Sequence, residues 1–267
     1  MLKLFGLDRL AFGGGGVKRA ELLPVRKILS GARVYRTDKP EHSFLWGAPE
    51  TAQFLMDLEA VAGDRTAETD HEERHYLGNL SVSPDLETGE MQILDGLQRL
   101  TMLSMFLAFA RDRLRSASVR NQIHRMLFRT AVNGERTPRV TLNSDERDWF
   151  SLYILDTGGT LDLPRSAPNP GQRRLLAAAR FMHRVFADYS RPQIRRLVRA
   201  VTHETALVVG LSAPEAWSAL PALPAPVEFR QPKALPAAPR TERQPDWRPT
   251  QTSGGANPTD EHRARLH

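Results

Sequence analysis

The stretch from Met91 to Leu114, MQILDGLQRLTMLSMFLAFARDRL, constrains this chain more than any other. Met91 to Leu94 reads as the end of a short strand, Asp95-Gly96 as a tight turn, and Leu97 onward as a helix. Its apolar positions Leu100, Leu103, Leu107, Ala110 and Leu114 recur at a helical period. Asp95, Gln98 and Arg99 therefore gather at the start of a helix whose far face is buried. Free backbone N–H groups and the positive end of the helix dipole favour anions there. An acid, an amide and a guanidinium in that position could hold a phosphate and its metal ion. The same spacing is also a capping box, with Asp95 as N-cap and Gln98 reaching back to it.

The segment ILDGLQRLTML resembles the IDGQQRLTTL signature of the ParB/sulfiredoxin-like domain of GmrSD-type, modification-dependent restriction systems, known also as domain of unknown function 262. Other stretches follow in the order of that family. Phe44-Leu45-Trp46 is similar to the end of its IPxYQRPYxW motif, and Phe54 to Leu58 to its LLxDL helix. Tyr76-Leu77-Gly78-Asn79 is similar to its YFLGS strand, and Arg139 to Asp145 to its RLxLNxxD stretch. The likeness runs from Pro24 to Leu211.

The resemblance implies a small ParB/sulfiredoxin-like α/β domain over 20–116; with the mostly helical pattern over 117–211 and a tail over 212–267 that its composition marks as disordered, the chain reads as α+β. It implies nucleotide hydrolysis coupled to sensing DNA modification, in defence against foreign DNA. Asp95 would bind a metal or activate water, Gln98 would orient the nucleotide or water, and Arg99 would neutralise phosphate charge. Gly96, Thr101 and His42 would contact the nucleotide. The cofactor would be Mg2+ with a nucleoside triphosphate, and the partners DNA and a nuclease supplied in trans. The chain departs from the family at Leu97, where the signature has a second glutamine, and at Pro40-Glu41-His42, where it has the QR pair. An imidazole lacks the planar fork with which arginine grips phosphate. Those departures favour the competing class, a non-catalytic DNA-binding or partner protein, or a decayed remnant.

A net charge of +6 and a pI near 10.0 agree with a nucleic-acid partner. Arginines crowd the stretch from Arg165 to Arg199, where Asp188 is the one acid, and Arg173, Arg174, Arg180 and Arg184 are the candidate phosphate contacts. Composition is the rival explanation, because only five of the 37 basic residues are lysine, as in an Arg-rich, Ala-rich chain from a GC-rich coding sequence. With no cysteine, disulfides and thiolate zinc sites are excluded, which suits a cytoplasmic protein. The start, MLKLFGLDRLAF, makes a poor signal peptide, and no stretch reaches the length of a membrane span.

Residues 1–19, with Gly13 to Gly16, read as a flexible lead-in rather than a phosphate loop, since no Gly-Lys-Ser/Thr follows. Val25 to Leu29 predicts a short helix, Ala32 to Tyr35 the first strand, and Glu50 to Val61 an amphipathic helix. His71-Glu72-Glu73-Arg74-His75 matches the zinc-protease pattern, but its flanks offer no apolar stripe, so a charged loop is expected and no zinc. Leu77 to Ser83 and Met91 to Leu94 predict a hairpin. Helices are expected over Val119 to Phe128, Asp145 to Leu155, Gln172 to Phe186 and Gln193 to Thr202, then a buried strand over Ala206 to Leu211. His183 and His203 have no partners at ligand spacing. Residues 213–267 hold ten of the 19 prolines and show no period, which predicts disorder. The abrupt change near Trp217 suggests a shifted frame or a truncated gene.

Overall fold

The computed structural model describes residues 17–38, 42–63 and 75–212. The expectations for the lead-in before Val17, for His71 to Arg74 and for the tail beyond Ser212 fall outside these residues. The described chain is α+β, built on a mixed six-stranded sheet. Its strands are β1 (Val17–Pro24), β2 (Tyr35–Arg36), β3 (His75–Pro84), β4 (Met91–Asp95), β7 (Val140–Thr141) and β8 (Thr205–Ser212). They lie in the order β1-β8-β3-β4-β2-β7. A separate antiparallel pair joins β5 (Phe128–Thr130) to β6 (Arg136–Pro138).

The hairpin is antiparallel, with Ser81 opposite Asp95 and Pro84 opposite Met91. Its turn is closed by Asp85, whose carboxylate accepts the Glu87 and Thr88 N–H groups and is held below the usual carboxylate range by them. The first strand of the sheet is β1, not the stretch ending at Tyr35. It already begins at Val17, inside the segment expected to be a flexible lead-in, and pairs antiparallel with β8. β8 runs parallel to β3 on its other side, so strands from both 20–116 and 117–211 share one sheet. The buried residues of both stretches also form one apolar cluster.

The helices follow ordinary start signals. α1 (Val25–Ile28) is a single turn, and α2 (Ala48–Gly63) begins where Glu50 turns back to accept the Gly47 N–H at 2.8 Å. α5 (Ser144–Phe150) is capped by Asn143, whose side chain accepts the N–H groups of Asp145 and Glu146, and it runs into a π-helical turn at Ser151–Leu155. α6 (Pro170–Asp188) has Asn169 as cap and proline at its first position, and α7 (Arg191–Arg199) has Ser190 as cap. α4 (Ala117–Leu127) buries Ile123, Met126 and Leu127, the three residues its period singles out.

α3 (Leu97–Arg113) is the hub, packed against α4, α6 and α7. Buried positions run without a break from Leu100 to Arg111, so the helix is enclosed on all sides rather than along one face. The polar residues within that run are buried as well, and the Ser104 hydroxyl donates back to the Leu100 carbonyl at 2.9 Å. Among the described residues no helix is long and apolar enough to cross a membrane.

Candidate functional site

Two glycines set the geometry where β3, β4 and α3 meet. Gly96 takes a φ of +91°, and a Cβ there would lie 2.7 Å from the Asn79 carbonyl oxygen, against the backbone of β3. Glycine alone reaches both the left-handed conformation and the close approach. Gly96, not Asp95, is thereby the N-cap residue of α3, and no side chain caps the helix. The capping box predicted from Asp95 and Gln98 does not form, because the left-handed turn ends the strand one residue later than the box requires. Asp95 is left exposed as the last residue of β4.

Gln98 turns away from the helix start to hold a distant loop. Its Oε1 accepts the N–H groups of Leu45 at 2.7 Å and Trp46 at 3.3 Å, and its Nε2 donates to the Ser43 carbonyl at 2.9 Å. The amide thus acts as a short piece of strand for residues 43–46. The other side of that loop is gripped by α5: the Glu146 carboxylate accepts the Phe44 N–H, and Asn143 Nδ2 donates to the Ser43 hydroxyl and the His42 carbonyl. Phe44 is fully buried between these two clamps. Burial of Glu146 pushes its carboxyl above the ordinary 4.5, against the opposing pull of the Phe44 N–H.

Arg99 is held differently. Its guanidinium lies across the backbone of Gly78, where φ is +117° and a Cβ would meet Nε at 2.7 Å and Cζ at 2.8 Å. It is half-buried, and among the described residues it has no carboxylate or hydrogen-bond partner. A bulge in β3 between Tyr76 and Asn79 makes room for this crossing. Beside it opens a cleft of about 280 Å³. α2 supplies Glu50, Gln53, Phe54 and Asp57, one stripe at helical spacing; β3 supplies His75, Tyr76 and Leu77; the loop adds Trp46 and α3 adds Arg99. The Trp46 and Phe54 rings meet at a centroid separation of 6.3 Å. Gln53 donates to Asp57 at 2.8 Å, and the Tyr76 hydroxyl donates to Asn79 at 2.6 Å.

Of the residues predicted at the start of α3, Arg99 lines the cleft, whereas Asp95, Gly96 and Gln98 do not, and the half-buried His42 sits at the edge of the clamped loop. Thr101 is fully buried inside α3, with its hydroxyl lacking a hydrogen-bond partner. The four arginines singled out on α6 are all exposed. Two of them are occupied: Arg173 donates to the Pro168 carbonyl, and Arg180 to the carbonyls of Pro164 and Arg165. Arg184 lies 5.7 Å over the ring of Phe181, and Arg174 lowers the Glu146 carboxyl by its charge. On α7, Arg191, Arg195 and Arg196 are exposed and without partners among the described residues. His183 sits between the Thr160 carbonyl and Arg113, and His203 against the Thr202 hydroxyl.

Glu146, Asn143 and Gly78 were not singled out as site residues from the sequence. Asn143 and Gly78 lie within the stretches that carry the family resemblance, which was their one signal. Among the described residues no group of three acidic, histidine or cysteine side chains could hold a metal ion unaided. The exposed carboxylate of Asp95 is a hard donor of the kind that suits magnesium, which enters such sites on one or two carboxylates together with phosphate oxygens. Compared with protein-family models and with curated proteins, the chain matches none.

Proposed function

We propose that this chain binds a nucleoside triphosphate with magnesium in the cleft beside Arg99 and hydrolyses it. We place that activity in cytoplasmic defence against modified foreign DNA, alongside a nuclease supplied in trans. The observation that carries the reading is Arg99: a guanidinium fixed over Gly78, unpartnered among the described residues, next to a cleft walled by Trp46, Phe54 and Tyr76. An arginine laid over backbone with its donors free is available to phosphate. The resemblance of DGLQR to the family's nucleotide-site signature points to the same corner.

Arg99 would take phosphate charge, and Asp95 would hold the metal or orient water. Magnesium, when bound with the nucleotide, supplies charge neutralisation at the phosphate oxygens. Gln98 has a different part from the one its motif suggests: it positions the loop that carries Trp46.

The test is phosphate release by the purified chain with magnesium and a nucleoside triphosphate. Arg99→Ala and Asp95→Ala are expected to lose turnover by roughly tenfold or more while shifting stability by less than about 0.5 kcal/mol, as exposed or unpaired side chains do. Equal background rates in wild type and both variants would overturn the enzyme reading. A second reading, a non-catalytic DNA-binding protein, is favoured by the commitment of Gln98 to the scaffold and by the unpaired Arg191, Arg195 and Arg196. Duplex binding that weakens steeply with salt, without phosphate release, would select it.

A further inference from the structure

The charge pattern of the cleft is uneven for a phosphate site. Arg99 stands at one side, yet α2 lines the cleft with two carboxylates, Glu50 and Asp57, and with the amide of Gln53. Glu50 is committed elsewhere, since its carboxylate accepts the Gly47 N–H at the start of α2. Asp57 is not committed in that way: only its Oδ1 is occupied, by the side chain of Gln53 at 2.8 Å. The cleft's 280 Å³ falls just short of the range of small-molecule sites, which begins near about 300 Å³, so it takes the base while the sugar and phosphates extend out past Arg99. Trp46, Phe54 and Tyr76 provide apolar faces on which a ring can lie.

Resting on the nucleotide reading above, we propose that the Gln53–Asp57 pair selects guanine, with the base in the aromatic part of the cleft and the phosphates toward Arg99. Guanine offers two N–H donors side by side, at N1 and N2, which a carboxylate accepts together; its O6 accepts from an amide such as the remaining N–H of Gln53. Adenine mismatches at both places. Its N1 would set a lone pair against the carboxylate, and its N6 amino group would face the amide donor. A site built to pair with a group rejects the analogue that leaves that site unpaired.

The experiment is equilibrium binding of the magnesium complexes of GTP, ATP and XTP to the full chain and to Asp57→Asn. Wild type is expected to bind GTP at least tenfold more tightly than ATP or XTP. Xanthine carries a carbonyl where guanine carries its 2-amino group, so Asp57→Asn is expected to reverse the order of GTP and XTP. That gain cannot come from misfolding. Gln53→Ala should narrow the GTP-to-ATP ratio without a change in melting. Equal affinity for GTP and ATP, or an Asp57→Asn variant that loses all three alike, overturns guanine selection while leaving nucleotide binding in place. Absence of binding by all three to wild type overturns both.

Discussion

Two arginines on the same helix have opposite circumstances. Arg111, near the end of α3, is 1% exposed, and each of its three guanidinium nitrogens donates a hydrogen bond. Nε pairs with Asp112 at 2.8 Å, Nη1 donates to the Leu155 carbonyl at 2.6 Å and Nη2 to the Asp156 carbonyl at 2.7 Å. Asp112 in turn accepts the Thr160 hydroxyl at 2.8 Å. Arg99, at the start of α3, lies against the backbone of Gly78 rather than on acceptors, and keeps its donors. The first arrangement fixes the π-helical turn Ser151–Leu155 and the loop after it onto the hub helix. The second holds a charge in place without satisfying it. An arginine with every nitrogen bonded contributes to the fold, whereas one without acceptors is available to a ligand.

The comparison breaks most sharply at Arg111. Arg111→Met leaves Asp112 as a buried, unpaired carboxylate, and a loss of about 3–5 kcal/mol is expected from denaturant unfolding. Adding Asp112→Leu to that variant should recover part of the loss. If Arg111→Met is no worse than Arg99→Ala, the distinction between the two ends fails. Gln98→Ala comes next, at about 1–3 kcal/mol, because the Leu45 and Trp46 N–H groups and the Ser43 carbonyl lose their shared partner. Since the loop carries Trp46 into the cleft, nucleotide affinity should fall together with stability.

The smallest effect is a pH dependence at the same loop. The Glu146 carboxyl titrates above its unfolded value of 4.5, so the folded state binds its proton more tightly than the unfolded state does. Stability therefore declines as pH rises from about 4.5 through the folded pKa, and this group adds no further slope above it. Glu146→Gln should flatten that part of the profile; an unchanged slope would place the proton elsewhere. Gly171 leaves this side chain its room, because a Cβ there would overlap the Glu146 carboxylate.

What the sequence made legible was local. The stripes of α2, α4 and α6 follow from apolar spacing, and the β3–β4 hairpin from Pro84, Asp85 and Gly89. β1 was not legible, because VKRAELLP shows no alternation and its partner β8 lies at the far end of the described chain. The corner at Gly96 was half legible. The sequence offers Gln98 a neighbour three residues away, whereas its partners lie in the loop at Ser43 to Trp46. A capping residue and a clamp have the same side chain; the left-handed turn at Gly96 decides between them. The full enclosure of α3 was hidden for a similar reason, since Ser104 and Arg111 read as polar breaks until their partners are known.

The position of β8 bears on how the chain assembles as it is made. β1 ends at Pro24, and its neighbour in the sheet begins only at Thr205. At ordinary synthesis rates of about 5–20 residues per second, β1 waits roughly ten to forty seconds on the ribosome before its partner exists. During that interval β3 also lacks the strand that will separate it from β1. The β3–β4 hairpin and α3 are adjacent in the chain and can meet early, so the corner that carries Arg99 is able to form before the sheet closes. Closure then comes from a single late strand that joins β1 to β3 and completes the core around a helix already in place.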